Sequence, residues 1–231
     1  MNDTNDIFNA EFSRQYDVSN QRLKEISDNL HLLISLLLRD FPDDFRVLCV
    51  GVGTGTEIVR LAKEHPTWRF TGVDPSPDML AVCAEKLERE GLSERCELIV
   101  GHVDDVRPQS KFDVALCLLV AHFIQHPRRG GIYQHIADRL KPNGQLIAAE
   151  IAGDMQDSAF NGQLKNWVAL QQAFTQRPRD IEEVKAELNR RLLLLAPRQT
   201  EALLLEAGFA SSVQFFQSLL IHAWQAVKSA E

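Results

Sequence analysis

The segment Val47 to Glu57, VLCVGVGTGTE, constrains this chain more than any other: a short apolar run opens into three alternating glycines and then into a helix-forming sequence. It reads as strand, tight turn, helix. Gly51, Gly53 and Gly55 allow a sharp turn and close approach of the backbone to a ligand, while the helix start presents amide groups that no earlier turn has satisfied. Such turns also serve ordinary strand-to-helix connections, so the motif needs a second feature before it implies a nucleotide-like ligand.

That feature is Asp74. It closes the apolar stretch WRFTGVD and lies 23 residues beyond Gly51, near the offset of about 20 at which an acidic side chain meets ribose hydroxyls. Ser76 is better placed than Asp74 to cap the helix that Pro77 opens, which leaves the aspartate for a ligand.

From Arg46 onward, strand and helix patterns alternate, with strands expected near 47–50, 69–73, 97–100, 113–119 and 145–151. Runs such as DVALCLLV and QLIAAEI are almost continuously apolar, as in a parallel sheet covered on both faces. LKPNG, residues 140–144, marks a helix stop before the fifth strand. Two helical patterns precede the glycines, one carrying Phe8, Phe12 and Tyr16, the other Leu23, Ile26, Leu30, Leu33 and Leu37. Beyond Glu150 the alternation breaks into a helical stretch, including a face of Ile181, Val184, Leu188, Leu192 and Leu195. A short helix opened by Pro197 follows, and SVQFFQS with LLIHAWQAV reads as an antiparallel closing pair. The expected organisation is one α/β domain over 1–231: an N-terminal helical lid (1–40) with Tyr16 over the ligand, a cofactor-binding core (46–151), a helical insertion (152–208) and the strand pair (209–231).

Composition narrows the partners. With 45% hydrophobic residues in 231, the chain supports one substantial core, and a net charge of −7 gives no strong nucleic-acid signal. The paired arginines Arg128/Arg129 and Arg190/Arg191 read as solvated helix faces. Cys49, Cys83, Cys96 and Cys117 show no C-x-x-C spacing, so no metal is implied and reduced, buried thiols are expected. The first residues lack a signal-peptide pattern, and the apolar run 31–38 is far short of the ~20 residues of a span, pointing to a cytoplasmic protein without membrane partners.

Taken together, these motifs resemble those of class I S-adenosylmethionine-dependent methyltransferases. VGVGTG is similar to that family's glycine motif, TGVDPSPDML to its ribose-binding motif, IVGHVDDV to its adenine-binding motif, and FDVALCLLVAHFI and LKPNGQLIAAEI to its fourth and fifth strands. The resemblance implies a Rossmann-like doubly wound sheet of about seven strands, mostly parallel with an antiparallel last strand, and S-adenosyl-L-methionine as cofactor, with S-adenosyl-L-homocysteine as product. It further implies that Gly51, Val52, Gly53 and Gly55 pass beneath the methionine moiety and that Asp74 accepts from the ribose hydroxyls. Pro75 and Met79 would flank adenine, Val103 would offer it an N–H, and Cys117 and Leu118 would face the sulfonium.

Three positions depart from the family pattern: Cys49 and His102 where acidic residues are common, and Leu118 where an asparagine is common. Each lost charge-assisted hydrogen bond is worth about 1.5–3 kcal/mol. A neutral imidazole at His102 still accepts one hydrogen bond, and Asp104 reads either as a substitute or as a solvated carboxylate.

Methyl transfer needs positioning above all, so a base is optional. His122 stands where the family often carries a histidine and reads as a general base or as a structural histidine; Glu150, ending the fifth strand, reads as a second candidate base, as a helix cap or as a solvated carboxylate. Phe160, Trp167 and Phe174, seven apart, with Phe215 and Phe216, outline a pocket for a small-molecule methyl acceptor; the same stripe suits core or homodimer packing. Three rivals stay open. The C-terminal third is similar to the carboxy-S-adenosylmethionine synthases of tRNA modification, with Arg190 or Arg191 for the extra carboxylate. A nicotinamide oxidoreductase is disfavoured by Thr56 where its third glycine belongs. A non-catalytic, degenerate fold that binds a partner would explain the three departures.

Overall fold

The structure, a computed structural model, describes residues 11, 13, 14, 16, 20–124, 129–175, 178–192 and 194–230. Phe8 and Phe12 of the first helical pattern lie outside them. One seven-stranded sheet runs in the order β3-β2-β1-β4-β5-β7-β6. Its members are β1 (Arg46–Val50), β2 (Arg69–Asp74), β3 (Cys96–Val100), β4 (Phe112–Leu118), β5 (Leu140–Ile151), β6 (Phe209–Ser218) and β7 (Ile221–Lys228). The first five pair in parallel and β7 inserts antiparallel between β5 and β6, as the motif order implied. The helices are α1 (Lys24–Leu38), α2 (Thr56–Glu64), α3 (Pro77–Arg89), α4 (Arg129–Arg139), α5 (Ser158–Thr175), α6 (Ile181–Arg191) and α7 (Pro197–Glu206).

Each sheet face buries its own cluster. Ile34, Ile58, Leu87, Leu164 and Leu188, from α1, α2, α3, α5 and α6, pack on one face; Ile132, Tyr133, Ile136 and Leu204, from α4 and α7, pack on the other. At about 1.5–3 kcal/mol for each fully buried large apolar side chain, these two layers dominate the stability. Because both faces are covered, the strands read as apolar runs rather than as alternating patterns.

The chain moves outward from β1 through β2 to β3, then returns to place β4 on the other side of β1. Loops leaving the carboxyl ends of β1 and β4 therefore diverge and leave a crevice between them. The fifth strand begins earlier than expected: Phe112 pairs with Leu140, then the register jumps to Val114 with Gln145. Residues 141–144 loop out at that jump, with Asn143 at φ 60°, so the turn read from LKPNG exists inside the strand's span.

The expectation that Arg129 lies on a solvated face is wrong. Arg129 is fully buried and forms an ion pair with Glu150, which is equally buried and also accepts from the Tyr133 hydroxyl. Glu150, at the end of β5, is thus neither a solvated carboxylate nor a helix cap. Burial alone pushes its carboxyl up to about 8 and the guanidinium down to about 10. Direct contact between them offsets that penalty and keeps both charged. The pair ties the start of α4 to the end of β5 directly behind the crevice. Arg128 lies outside the described residues.

Removing one partner would leave the other buried and uncompensated. Arg129→Met should cost about 3–5 kcal/mol in urea unfolding, whereas the double variant Arg129→Met/Glu150→Leu should recover most of it; equal losses in the two variants would refute the pairing.

Candidate functional site

The crevice is built on the glycine turn. Gly51, Gly53 and Gly55 all have left-handed backbones, with φ of 65°, 52° and 74°. A Cβ at Gly51 would fall 2.4 Å from Val120 Cγ2 and one at Gly55 2.5 Å from Cys83 Sγ, so packing as well as conformation demands glycine there. At Gly53 a Cβ would meet nothing closer than 4.0 Å, because this glycine faces the crevice. Gly51 and Val52 donate to the Val73 carbonyl at 2.8 and 3.2 Å, which hangs the turn on the end of β2.

Asp74 completes the turn. Its Oδ2 accepts from the Gly53 N–H and its Oδ1 from the Ser76 N–H, both at 2.9 Å. The aspartate is therefore not left for a ligand alone: both of its oxygens also hold the backbone. Each oxygen keeps a further lone pair for a ligand hydroxyl. Burial raises the carboxyl's pKa, and the two N–H donors pull against that shift. Ser76 caps α3 as expected, accepting from Met79 N–H at 3.2 Å.

Two cavities open from this turn. The first, about 520 Å³, is lined by Gly51, Gly53, Asp74, Pro75, Met79, His102, Val103, Asp104 and Leu118, all singled out from the sequence. The second, about 720 Å³, lies between α1, the glycine turn and the α5–α6 region. Tyr16, Gly51, Gly53, Leu118, Leu119 and Phe123 line both, so they form the common wall. Val52 lines only the second. Neither cavity is lined by Gly55, which caps α2, nor by Cys117, whose side chain is buried on the α4 side beneath Leu118.

The loop that closes the first cavity is anchored from below. Buried Arg139 donates to the carbonyls of Val106 and Asp104 at 2.9 and 2.8 Å, and Asp105 accepts from the His102 N–H at 2.8 Å. Sequence reasoning missed this arginine because nothing in its spacing marks a side chain that reaches backbone carbonyls 33 and 35 residues away.

Leu119 was also missed. It was read as the last residue of β4, yet the strand ends at Leu118 and Leu119 adopts φ 60°. A non-glycine residue in the left-handed region costs on the order of 1–3 kcal/mol. Its N–H donates to the Ala149 carbonyl at 2.7 Å, and its position on the common wall shows what that strained backbone achieves. It turns a leucine into the partition between the cavities.

His122 lines the second cavity but is only 1% exposed. Its Nδ1 accepts from the Ile151 N–H at 3.2 Å, which assigns the proton to Nε2. Burial, then the nearby Arg129, lowers its pKa to about 3. Held in that tautomer, the ring donates a hydrogen bond but does not take a proton near neutral pH, so the geometry favours the structural reading over the general base. Cys49 is fully buried beneath the turn. Phe160 and Trp167 of the aromatic stripe are buried in the core, as is Phe216 of β6, and of these only Trp167 also lines the second cavity. The side chain of Phe174 lies outside the described residues. No group of three or more potential metal ligands occurs among the described residues, and no helix there is long and apolar enough to cross a membrane.

Comparison with known proteins agrees with this architecture. Residues 47–144 match the family model described as a methyltransferase domain. A malonyl-[acyl-carrier protein] O-methyltransferase of Ilyobacter polytropus is 25% identical over 121 residues, covering 52% of this chain and 45% of that protein. The chain thus spans less than half of that relative's length. A carboxy-S-adenosyl-L-methionine synthase of Wolinella succinogenes is 24% identical over 229 residues, covering 92% of this chain and 93% of that protein. Among solved structures, an O-methyltransferase family protein from Burkholderia thailandensis shares the fold at TM-score 0.67 and 14% identity, over 94% of this chain and 60% of that one. The [4+2]-cyclase SpnF does so at TM-score 0.65 and 16% identity, over 88% and 81%. Likeness at such identities shows the fold, on which different chemistries occur.

The buried histidines make stability acid-sensitive. His222, opposite Glu150 on β7, is 3% exposed, neither ring nitrogen has a partner among the described residues, and burial lowers its pKa from 6.5 to about 4. The unfolded chain thus binds a proton that the folded one refuses, so stability is lost as pH falls from 6.5 toward 4. His222→Phe should remove about 1.4 kcal/mol per pH unit of that slope, read from unfolding free energies across the window; an unchanged slope would show that His222 is protonated in the folded state.

Proposed function

We propose that this chain, whose residues 47–144 match a methyltransferase-domain model within a Rossmann-like sheet, binds S-adenosylmethionine in the first cavity and passes its methyl group across the common wall to a small-molecule acceptor in the second. The observation that carries this reading is the meeting of two cavities at the Gly51–Gly53 turn, with the Asp74 carboxylate in the wall of the first. Asp74 has lone pairs for two ribose hydroxyls; Pro75 and Met79 offer apolar surface to adenine, and the buried Val103 supports its edge. Tyr16, on the common wall, closes over the ligand. His102 and Leu118 supply less polar recognition than the family pattern, so shape and burial carry more of the affinity here.

When bound, the cofactor supplies an electrophilic methyl group on a positively charged sulfur. An acceptor lone pair displaces it in line, the carbon–sulfur bond breaks, and its electron pair returns to sulfur, leaving S-adenosylhomocysteine. The protein's part is to hold the acceptor atom about 3–3.5 Å from the methyl carbon and to exclude water. Leu118, Leu119 and Phe123 provide an apolar wall at that junction. The reaction needs no general base if the acceptor arrives ionised, in keeping with the tautomer of His122.

A second reading, a carboxy-S-adenosylmethionine synthase-like enzyme, is favoured by the nearly full-length match and by Arg191 in the wall of the second cavity. Leu118, where that family carries asparagine, weighs against it.

Thermal unfolding separates these readings. S-adenosylhomocysteine at about 100 Kd should stabilise the protein by about 2.7 kcal/mol, and NADH should not. Preference for the carboxylated analogue would select the second reading, and no shift with any of the ligands would indicate a degenerate fold. Asp74→Ala should cut S-adenosylhomocysteine affinity by about 1.5–3 kcal/mol. Because Asp74 also pins Gly53 and Ser76, that variant should be less stable even without ligand, and unchanged affinity would overturn the ribose assignment.

A further inference from the structure

We propose that the second cavity takes a neutral acceptor molecule carrying a hydroxyl, and that His31 on α1 recognises this group by accepting its hydrogen bond. The proposal rests on the methyl-transfer reading above and names the substrate class of that site.

His31 lines the second cavity and is half-buried. Its Nδ1 lies 2.7 Å from the carbonyl oxygen of Ser27, one turn earlier on α1, and 3.2 Å from the same residue's hydroxyl. A carbonyl oxygen only accepts, so Nδ1 carries the proton and donates it. The neutral ring then keeps its lone pair on Nε2, the nitrogen farther from the backbone. Nε2 makes no hydrogen bond among the described residues, yet it is not sealed from solvent as both ring nitrogens of His222 are. An accessible, unpaired acceptor thus stands on a helix that walls the cavity. Burial lowers the ring's pKa below 6.5, and the Arg60 guanidinium on α2 acts in the same direction, against the Ser27 bond and the Asp28 carboxylate. The imidazole is therefore neutral near pH 7. His122, which lines the same cavity, is held in the opposite tautomer with its proton on Nε2. Of the two histidines, only His31 accepts.

The charges of the wall point to a neutral ligand. Lys24 pairs with Asp28, Arg179 with one oxygen of Glu187, and Arg191 with the other. Lys86 donates to the hydroxyls of Thr54 and Thr56, both at 3.2 Å, and Glu57 is also engaged. These are all of the Lys, Arg, Asp and Glu side chains that line the cavity among the described residues. A charged ligand would have to take one of them from its present partner. An anion would also set lone pairs against that of Nε2, and an ammonium would meet the Arg60 charge that already bears on the ring. A hydroxyl brings a donor without a charge, and Leu23, Ile26, Leu30 and Leu188 offer apolar surface to the rest of the molecule.

The test is calorimetric titration of the S-adenosylhomocysteine-saturated protein with 3-phenylpropan-1-ol, with its methyl ether and with 3-phenylpropionate. The alcohol should bind about fivefold tighter than the ether, the scale of one neutral hydrogen bond, and tighter than the acid. His31→Phe, which keeps an aromatic ring but deletes the acceptor, should bring the alcohol-to-ether ratio close to one. That variant should keep the thermal shift with S-adenosylhomocysteine, which shows that it is folded. Independently of any probe, heteronuclear NMR of the histidine rings near neutral pH should find the His31 proton on Nδ1. Equal affinities for alcohol and ether, preference for the acid, a ratio unchanged in His31→Phe, no binding of any probe, or a His31 proton on Nε2 would each overturn the proposal. Absence of the S-adenosylhomocysteine shift in the unaltered protein would instead overturn the cofactor reading.

Discussion

The site depends on one carboxylate that accepts two backbone N–H groups. Asp74 holds Gly53 with one oxygen and Ser76 with the other, and so fixes the turn after β1 relative to the turn that starts α3. Both turns need such help. The first contains three left-handed glycines, whose conformational freedom in the unfolded chain makes them costly to order. Backbone bonds from Gly51 and Val52 to Val73, and from Gly101 to the Asp74 carbonyl, extend the same constraint to the loop beyond β3. Three loops that define the first cavity are therefore held at the end of β2.

Electrostatics behind the sheet edge follow a different logic. Arg129, Glu150 and Tyr133 join where α4 meets the end of β5, with His222 opposite Glu150 on β7 and His122 near Arg129, buried positions where hydrophobic residues of similar volume would often be at least as stable. The layer sets protonation instead. The backbone N–H of Ile151 occupies Nδ1 of His122, and the positive charge of Arg129 disfavours an imidazolium beside it. The ring is thereby held as a neutral donor. A histidine read from sequence as a base becomes, in this environment, a fixed hydrogen-bonding group.

Much of the fold was legible because it rests on local signals. Apolar runs separated by Gly and Pro punctuation gave the strands, and spacing from Gly51 to Asp74 identified the cavity. What stayed hidden depends on long-range contact. Arg129 looked like any helix-surface arginine, since only the tertiary placement of Glu150 across the sheet end explains its burial. The left-handed backbone at Leu119 was invisible because leucine carries no mark of that conformation; the turn is imposed by β4 ending against β5. Phe160 and Trp167 share one helical stripe and both are buried in the same core, as that spacing suits, yet only Trp167 also borders a cavity.

The two cavities divide the chemistry between shape and charge. Their common wall is mostly apolar, formed by Leu118, Leu119 and Phe123 on the β4 side. A low-polarity junction suits a sulfonium methyl, because displacement moves an electron pair onto sulfur and consumes its positive charge, a change that water would oppose by solvating the starting cation. Charged side chains line both cavities, Asp74 in the first and the Arg179–Glu187–Arg191 ion pairs in the second. On the proposed reading, the common wall holds cofactor and acceptor in line across the junction. The left-handed Leu119 is the residue that makes this separation possible: a residue with an ordinary extended backbone there would carry β4 onward and direct its side chain away from the junction.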